Sequence, residues 1–143
     1  ENPSRISSHD MYTGNHGRIY HQYGAVTGAL GAGRYKIEFV QDGEYVFSLR
    51  RFPRESGLAI NEWFPEKEEE IRLESVMPAS VKTDFEVAYL YVANVKKTVE
   101  IKPEQKEVII KAWIPAGKYD LIAQLLDSEM KLHPAYYLYI EKL

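Results

Sequence analysis

The sequence predicts an all-β domain, an antiparallel β-sandwich with little helix, for which a jelly roll is one arrangement. Three observations carry that reading. Apolar and polar residues alternate at period two through "RYKIEFVQDGEYVFSLRR", "FEVAYLYVANV", "KEVIIKAWIPAGKYDLIAQLLD" and "AYYLYIEKL". These runs are built from β-branched and aromatic residues, with eleven Tyr in the whole chain. Pro, Gly, Lys and Asp bound them, and so many strands with so little helix favour two packed antiparallel sheets over a βαβ layout.

Taken in order, the opening "ENPSRISSHDMYTGNHGRIYHQYGAVTGALGAG" is rich in Gly, Ser and Asn, which predicts long loops with strands near Ile6 and from Ile19 to Tyr23. Tyr35, Ile37 and Phe39 alternate on one side of Asp42-Gly43, and Tyr45, Phe47 and Leu49 on the other. An Asp-Gly pair tolerates the positive φ of a tight turn, so this segment reads as a β-hairpin. "VQDGEYVFSL" and "IPAGKYDLIA" share a Gly-x-Tyr opening after a strand end and read as equivalent hairpins in two halves of the sandwich. The one helical signal is "PEKEEEIRLES", where Pro65 suits a first turn and Glu66, Glu68 and Glu69 complement a helix N-terminus.

At 143 residues the chain is the size of one domain, expected to bury about two thirds of its unfolded surface. A net charge of -3 supplies no field for a polyanion, which argues against nucleic acid and anionic membrane as main partners. No run reaches the ~18 apolar residues of a spanning helix. The absence of Cys excludes disulfides and thiolate chemistry. The chain starts at Glu1 without Met and without a leader, so it is expected to be a piece of a longer precursor.

Sites with recognisable chemistry are sparse. His9, His16, His21 and His133 match no zinc spacing, and neither a nucleophile elbow, a phosphate-binding P-loop nor a His-Glu-x-x-His pair occurs. "GALGAGR" has no following helix and reads as a loop; "EKEEE" reads as a solvated face. Trp63-Phe64, and Tyr137 with Tyr139 on one strand face, could stack sugar rings; the simpler reading has them cover a sheet or an interdomain contact. The basic string "FSLRRFPRES" places Arg50 and Arg51 on opposite faces of a strand that Pro53 ends. One guanidinium is expected to hold Glu55 or another carboxylate, while the other points toward solvent or a neighbouring domain. A planar Arg fork also suits sulfate, so anion recognition stays open.

Read together, "GRYKIEFVQDGEYVFSLRRFPRESGLAIN", "IPAGKYDLIAQLLD" and the closing "PAYYLYIEKL" resemble the C-terminal β-rich region of bacterial arylsulfatase-like enzymes. Leu49, Arg50, Arg51, Pro53 and Glu55 match that pattern, Phe52 stands where the family commonly has Trp, and Glu62 to Asp84 carry no landmark. The resemblance implies an accessory module that stabilises or shapes the catalytic domain of the same polypeptide. The parent would hydrolyse sulfate esters of glycans or aryl sulfates with formylglycine and calcium. Neither a catalytic residue nor a metal ligand is expected in this stretch, which lacks the Cys/Ser-x-Pro-x-Arg motif. A periplasmic or secreted location and a sulfated glycan as a further partner follow from the same resemblance. Candidate ligand or interdomain residues are Arg50, Arg51, Arg54, Phe52 and Trp63. The alternatives are a carbohydrate-binding β-sandwich module and an enzyme whose site has no familiar signature.

Overall fold

The computed structural model describes residues 4–7, 34–63 and 82–143; the strand expected at Ile19 to Tyr23, the helix of "PEKEEEIRLES", Phe64, His9, His16 and His21 lie outside these. The described strands are β1 (Ser4–Ser7), β2 (Tyr35–Phe39), β3 (Gly43–Arg50), β4 (Phe85–Val92), β5 (Val95–Glu100), β6 (Val108–Ile114), β7 (Gly117–Asp127), β8 (Leu132–Pro134) and β9 (Tyr137–Lys142). They form a four-stranded sheet in the order β1-β9-β3-β6 and a five-stranded sheet in the order β2-β7-β4-β5, with β8 beside β7. All pairings are antiparallel. β4 with β5, β3 with β6, β2 with β7 and β1 with β9 are nested pairs, the signature of one ribbon wound into a jelly roll.

Each strand turns its alternate residues into the space between the sheets. β6 is the plainest case: Val108, Ile110, Ala112 and Ile114 are buried, while Ile109, Lys111 and Trp113 face out. Phe47, Leu49 and Leu138 from the first sheet meet Leu90, Leu121 and Leu125 from the second, all with no exposed surface. Each such side chain contributes about 1.5–3 kcal/mol on transfer out of water. β5 closes one edge, and Lys97, on its core-facing side beside Leu90, is exposed there; a charge so placed discourages pairing with another chain.

The segment read as a hairpin at Asp42-Gly43 is a corner between sheets. β2 pairs with β7 in the second sheet, and β3 pairs with β6 and β9 in the first. The inward residues of the two strands therefore pack face to face across the core: the Phe39 ring lies 4.7 Å from Tyr45 and 6.3 Å from Phe47, both edge-on. The second Gly-x-Tyr segment behaves alike, since β6 and β7 also belong to different sheets. The two segments are equivalent, as corners. Asp42 Oδ1 accepts from the Ala116 N–H at 2.6 Å and ties one corner to the other. Each Tyr bends back on its own corner, Tyr45 Oη donating to the Gln41 carbonyl at 2.6 Å and Tyr119 Oη to that of Ala116 at 3.5 Å.

Gly43 holds φ at +156°, and a Cβ there would lie 3.1 Å from Lys142 Cε. Gly43→Ala is expected to lower stability by roughly 1–3 kcal/mol, the scale of a residue held in a glycine-only conformation. Urea unfolding of wild type and variant checks it; coincident midpoints would remove the conformational requirement at the corner.

Candidate functional site

The arginine string resolves into three different environments. Arg50, on the outer face of β3, is 5% exposed; its Nη1 meets Glu107 Oε2 at 3.1 Å and its Nε donates to the Phe52 carbonyl at 3.0 Å. Arg51 turns inward and has no exposed surface. Its guanidinium carbon lies 4.9 Å from the Phe52 ring centroid and 5.4 Å from that of Phe85, and Nη1 donates to the Ile60 carbonyl at 3.5 Å. Burial pulls its pKa down, against the opposing pull of Tyr136. Arg54 is the exposed one. It lies 4.2 Å over the Tyr139 ring, its backbone N–H donates to Tyr139 Oη at 3.1 Å, its Nη2 to Ser48 Oγ at 3.1 Å, and its Nε sits 3.6 Å from Glu107 Oε2.

Arg50 and Arg54 thus converge on Glu107, a carboxylate from the loop before β6, while Arg51 serves the interior. Of the carboxylates an arginine of the string was expected to reach, Glu55 or another, it is Glu107 that Arg50 takes, while Glu55 meets Arg5 of β1 at 3.2 Å on the surface. Phe52 is 4% exposed beneath Arg51, and Trp63 stands apart, 52% exposed at the end of the described loop. Tyr137 and Tyr139 are 3% and 7% exposed, so their strand face is covered. Burial, the largest influence, pushes the Tyr137 hydroxyl up to about 12.

A second buried polar group joins β7, β8 and Tyr136, the residue that precedes β9. His133 Nε2 meets Asp127 Oδ2 at 2.7 Å, and His133 Nδ1 meets Tyr136 Oη at 3.1 Å. Asp127 Oδ1 also accepts the N–H groups of Glu129 and Lys131, each at 2.9 Å, and so shapes the β7–β8 turn. Burial pushes the Asp127 carboxyl up, but the hydrogen bonds from His133 and from these two backbone N–H groups outweigh it and leave it below its ordinary value. Tyr136 is raised, chiefly by burial. With Asp127 and His133 5% and 3% exposed, Tyr136 fully covered and each bonded to another member, the group ties these strands and the turn between them together.

The outer face of the second sheet is different. Alternation puts Val87, Tyr89 and Tyr91 of β4 outward, and all three are half-buried. The two Tyr rings lie 6.2 Å apart at 28°, close to parallel. Their register partners on β7 are Ile122 and Gln124, and on β5 Lys96 and Thr98. Gln124 stands between Tyr89 and Pro134 of β8, is only 8% exposed, and its side-chain amide has no hydrogen-bond partner among the described residues. A buried amide without a partner is uncommon, because it forfeits its bonds to water. Farther along β7 a pocket of about 410 Å³ is lined by Lys36, Glu38, Lys118 and Asp120 with Ile37 and Tyr119. Its charges face one another across the strands, Lys36 opposite Asp120 and Glu38 opposite Lys118, and so largely compensate. On the outer face of the first sheet Trp113 and Ile109 are 60% and 53% exposed.

No family model and no curated protein matches the sequence. Among solved structures, a Podospora anserina GH26-CBM35 beta-(1,4)-mannanase matches with a TM-score of 0.49 and 11% identity over 99% of this chain and 28% of that one. A ruminal GH26 endo-beta-1,4-mannanase matches with a TM-score of 0.44 and 10% identity over 99% of this chain and 26% of that one. The chain thus spans about a quarter of the length of either enzyme. Likeness this distant assigns it neither an activity nor a ligand.

Because the folded state holds Asp127 below its ordinary value, the ionised carboxylate contributes stability that is fully present above the unfolded value of about 3.9. That contribution is lost as pH falls through the lower, folded value. Asp127→Ala is expected to lower stability at neutral pH by about 1–3 kcal/mol, by stranding His133 and two backbone N–H groups. The gap from wild type should narrow in acid. Urea midpoints for both proteins across pH 2 to 7 check this; a gap that stays constant would contradict it.

Proposed function

We propose that the chain is a non-catalytic saccharide-binding β-sandwich module, and that its ligand lies along β4 on the outer face of the second sheet. The observation that carries this reading is the Gln124 amide, unpartnered among the described residues and set among Tyr89, Tyr91 and Pro134. Sugars present C–H-rich ring faces edged with hydroxyls. Two near-parallel Tyr rings offer flat apolar area for such faces, and Gln124 offers a donor and an acceptor for a hydroxyl. Thr98 on the β5 flank supplies a further hydroxyl contact. An apolar aromatic surface with a few placed polar groups is the usual make-up of a small-molecule site.

A second reading, that of an accessory module beside a sulfatase-type catalytic domain, is favoured by another observation. Trp113 and Ile109 leave apolar surface open on the opposite side of the sandwich, where a neighbouring domain would cover it. The two readings use different faces and are compatible within one longer polypeptide.

Titration calorimetry with neutral β-linked hexasaccharides tests the first. Tyr89→Ala and Tyr91→Ala should each weaken binding by roughly five- to a hundredfold, as expected for removal of a stacking aromatic worth about 1–3 kcal/mol. Gln124→Leu should weaken binding while leaving the free protein as stable or more so, because it removes a desolvated group that has no partner among the described residues. Trp113→Ala should leave saccharide affinity unchanged. Binding that survives both Tyr substitutions but fails with Trp113→Ala would move the site to the other sheet.

A further inference from the structure

We infer that the saccharide taken by the Tyr89–Tyr91 face is acidic, carrying its anionic group at the Tyr91 end, where Lys96 receives it. This inference rests on the saccharide-binding reading and adds the chemical class of its ligand. The outer face of β5 flanks the two rings in fixed register: Glu100 lies beside Val87, Thr98 beside Tyr89 and Lys96 beside Tyr91. Charge therefore changes sign along the flank, from a carboxylate at one end, through a neutral hydroxyl, to an ammonium at the other.

Lys96 is exposed and makes no ion pair among the described residues, in contrast to Arg5, Arg34, Arg50 and Arg54, each of which has a carboxylate within 4 Å. Lys97 follows it but lies on the opposite face of β5, beside Leu90, so the charge on this flank at the Tyr91 end is that of Lys96. The carboxylate on the same face of β7 at that end, Asp120, is held by Arg34 at 3.4 Å. Lys118 lies opposite Glu38 and adds little net field. A sugar ring stacked on Tyr91 would bring a substituent on its edge next to Lys96. A carboxylate or sulfate ester there gains a charge-assisted hydrogen bond that a neutral hydroxymethyl cannot match. An ammonium on a flexible stem accepts either anion, since it acts as a point charge without the planar match of a guanidinium. The same arrangement repels an acidic group at the Glu100 end, so the ligand's orientation along β4 is set as well.

The test uses β-linked glucan, mannan and galactan hexasaccharides, each in neutral, uronic-acid and sulfated form, titrated into the intact chain. The acidic forms, uronic, sulfated or both, should bind roughly two- to fivefold tighter than the neutral parent in low salt, the range of an exposed charge contact. The advantage should vanish in about 0.5 M sodium chloride, where screening confines charge interactions to a few ångströms. Lys96→Ala should remove the advantage and Lys96→Glu reverse it, each read as the ratio of acidic to neutral affinity within the same variant. Preference for the uronic or the sulfated series identifies which anion is read. Equal affinity for acidic and neutral forms, or an acidic preference that survives Lys96→Ala, would overturn this inference while leaving the Tyr89–Tyr91 site standing. Failure of every form to bind would overturn both.

Discussion

The chain crosses between its sheets at two corners that lie against each other, and the pairing of the ribbon follows from how they lock. Asp42 reaches across to the Ala116 N–H, Gly43 pairs with Ile114, and Phe39 pairs with Gly117. With these contacts made, β2 can run only beside β7 and β3 only beside β6. A shift of one residue in either pair would send Phe39, Tyr45 and Phe47 to the solvent side. The Gly-x-Tyr repeat supplies the parts: glycine takes the backbone through the bend, and the tyrosine two residues on places its ring in or beside the core while its hydroxyl returns to a corner carbonyl. The inner β4–β5 hairpin then closes the ribbon with a tight turn at Ala93 and Asn94, where Ala93 holds φ at +53°.

Alternation made the strands legible in the sequence, because a half-buried strand imposes period two wherever it pairs. It did not reveal partners. Two strands joined by a short turn show the same inward apolar residues whether they lie side by side or face each other across a core, and Asp-Gly suits both geometries. Hence the β2–β3 corner reads as a hairpin until Ala116 is seen to be Asp42's partner. Arg50 and Arg51 lie on opposite faces, as alternation dictates, but neither points to solvent or a neighbouring domain as expected of one of them: both are buried, against Glu107 and against the Phe52 and Phe85 rings. Their partners, Glu107 and Phe85, are remote in sequence, so the closure of the cluster on itself was hidden. The Tyr89–Tyr91 face was missed because tyrosine serves buried and open surfaces alike. The available signal was Gln124, one uncharged amide inside the otherwise apolar "LIAQLL".

The molecule treats its buried polar groups in two ways. Arg50, Arg51, Asp127 and His133 are enclosed together with partners, and each joins elements that the hydrophobic core alone would leave less specifically placed. Asp127 is the most connected of them, serving the turn after β7 and His133 of β8 with its two oxygens. Gln124 is enclosed without a partner among the described residues, its register neighbours on either side being Tyr89 and Pro134. That contrast separates groups that complete the fold from one whose bonding capacity is left over.

β1 pairs antiparallel with β9, and Ser4 lies opposite Ile140, so the two ends of the described fold sit side by side. Tension applied between those ends would load the β1–β9 ladder as a zipper, one hydrogen-bonded pair after another, instead of shearing all its bonds at once. β1 is only four residues long and holds the edge of its sheet, so it would peel away first. The nested ribbon behind it, and with it the face built on β4, would stay closed under that load. Such wiring makes the outermost ladder the mechanically weakest part of the described fold.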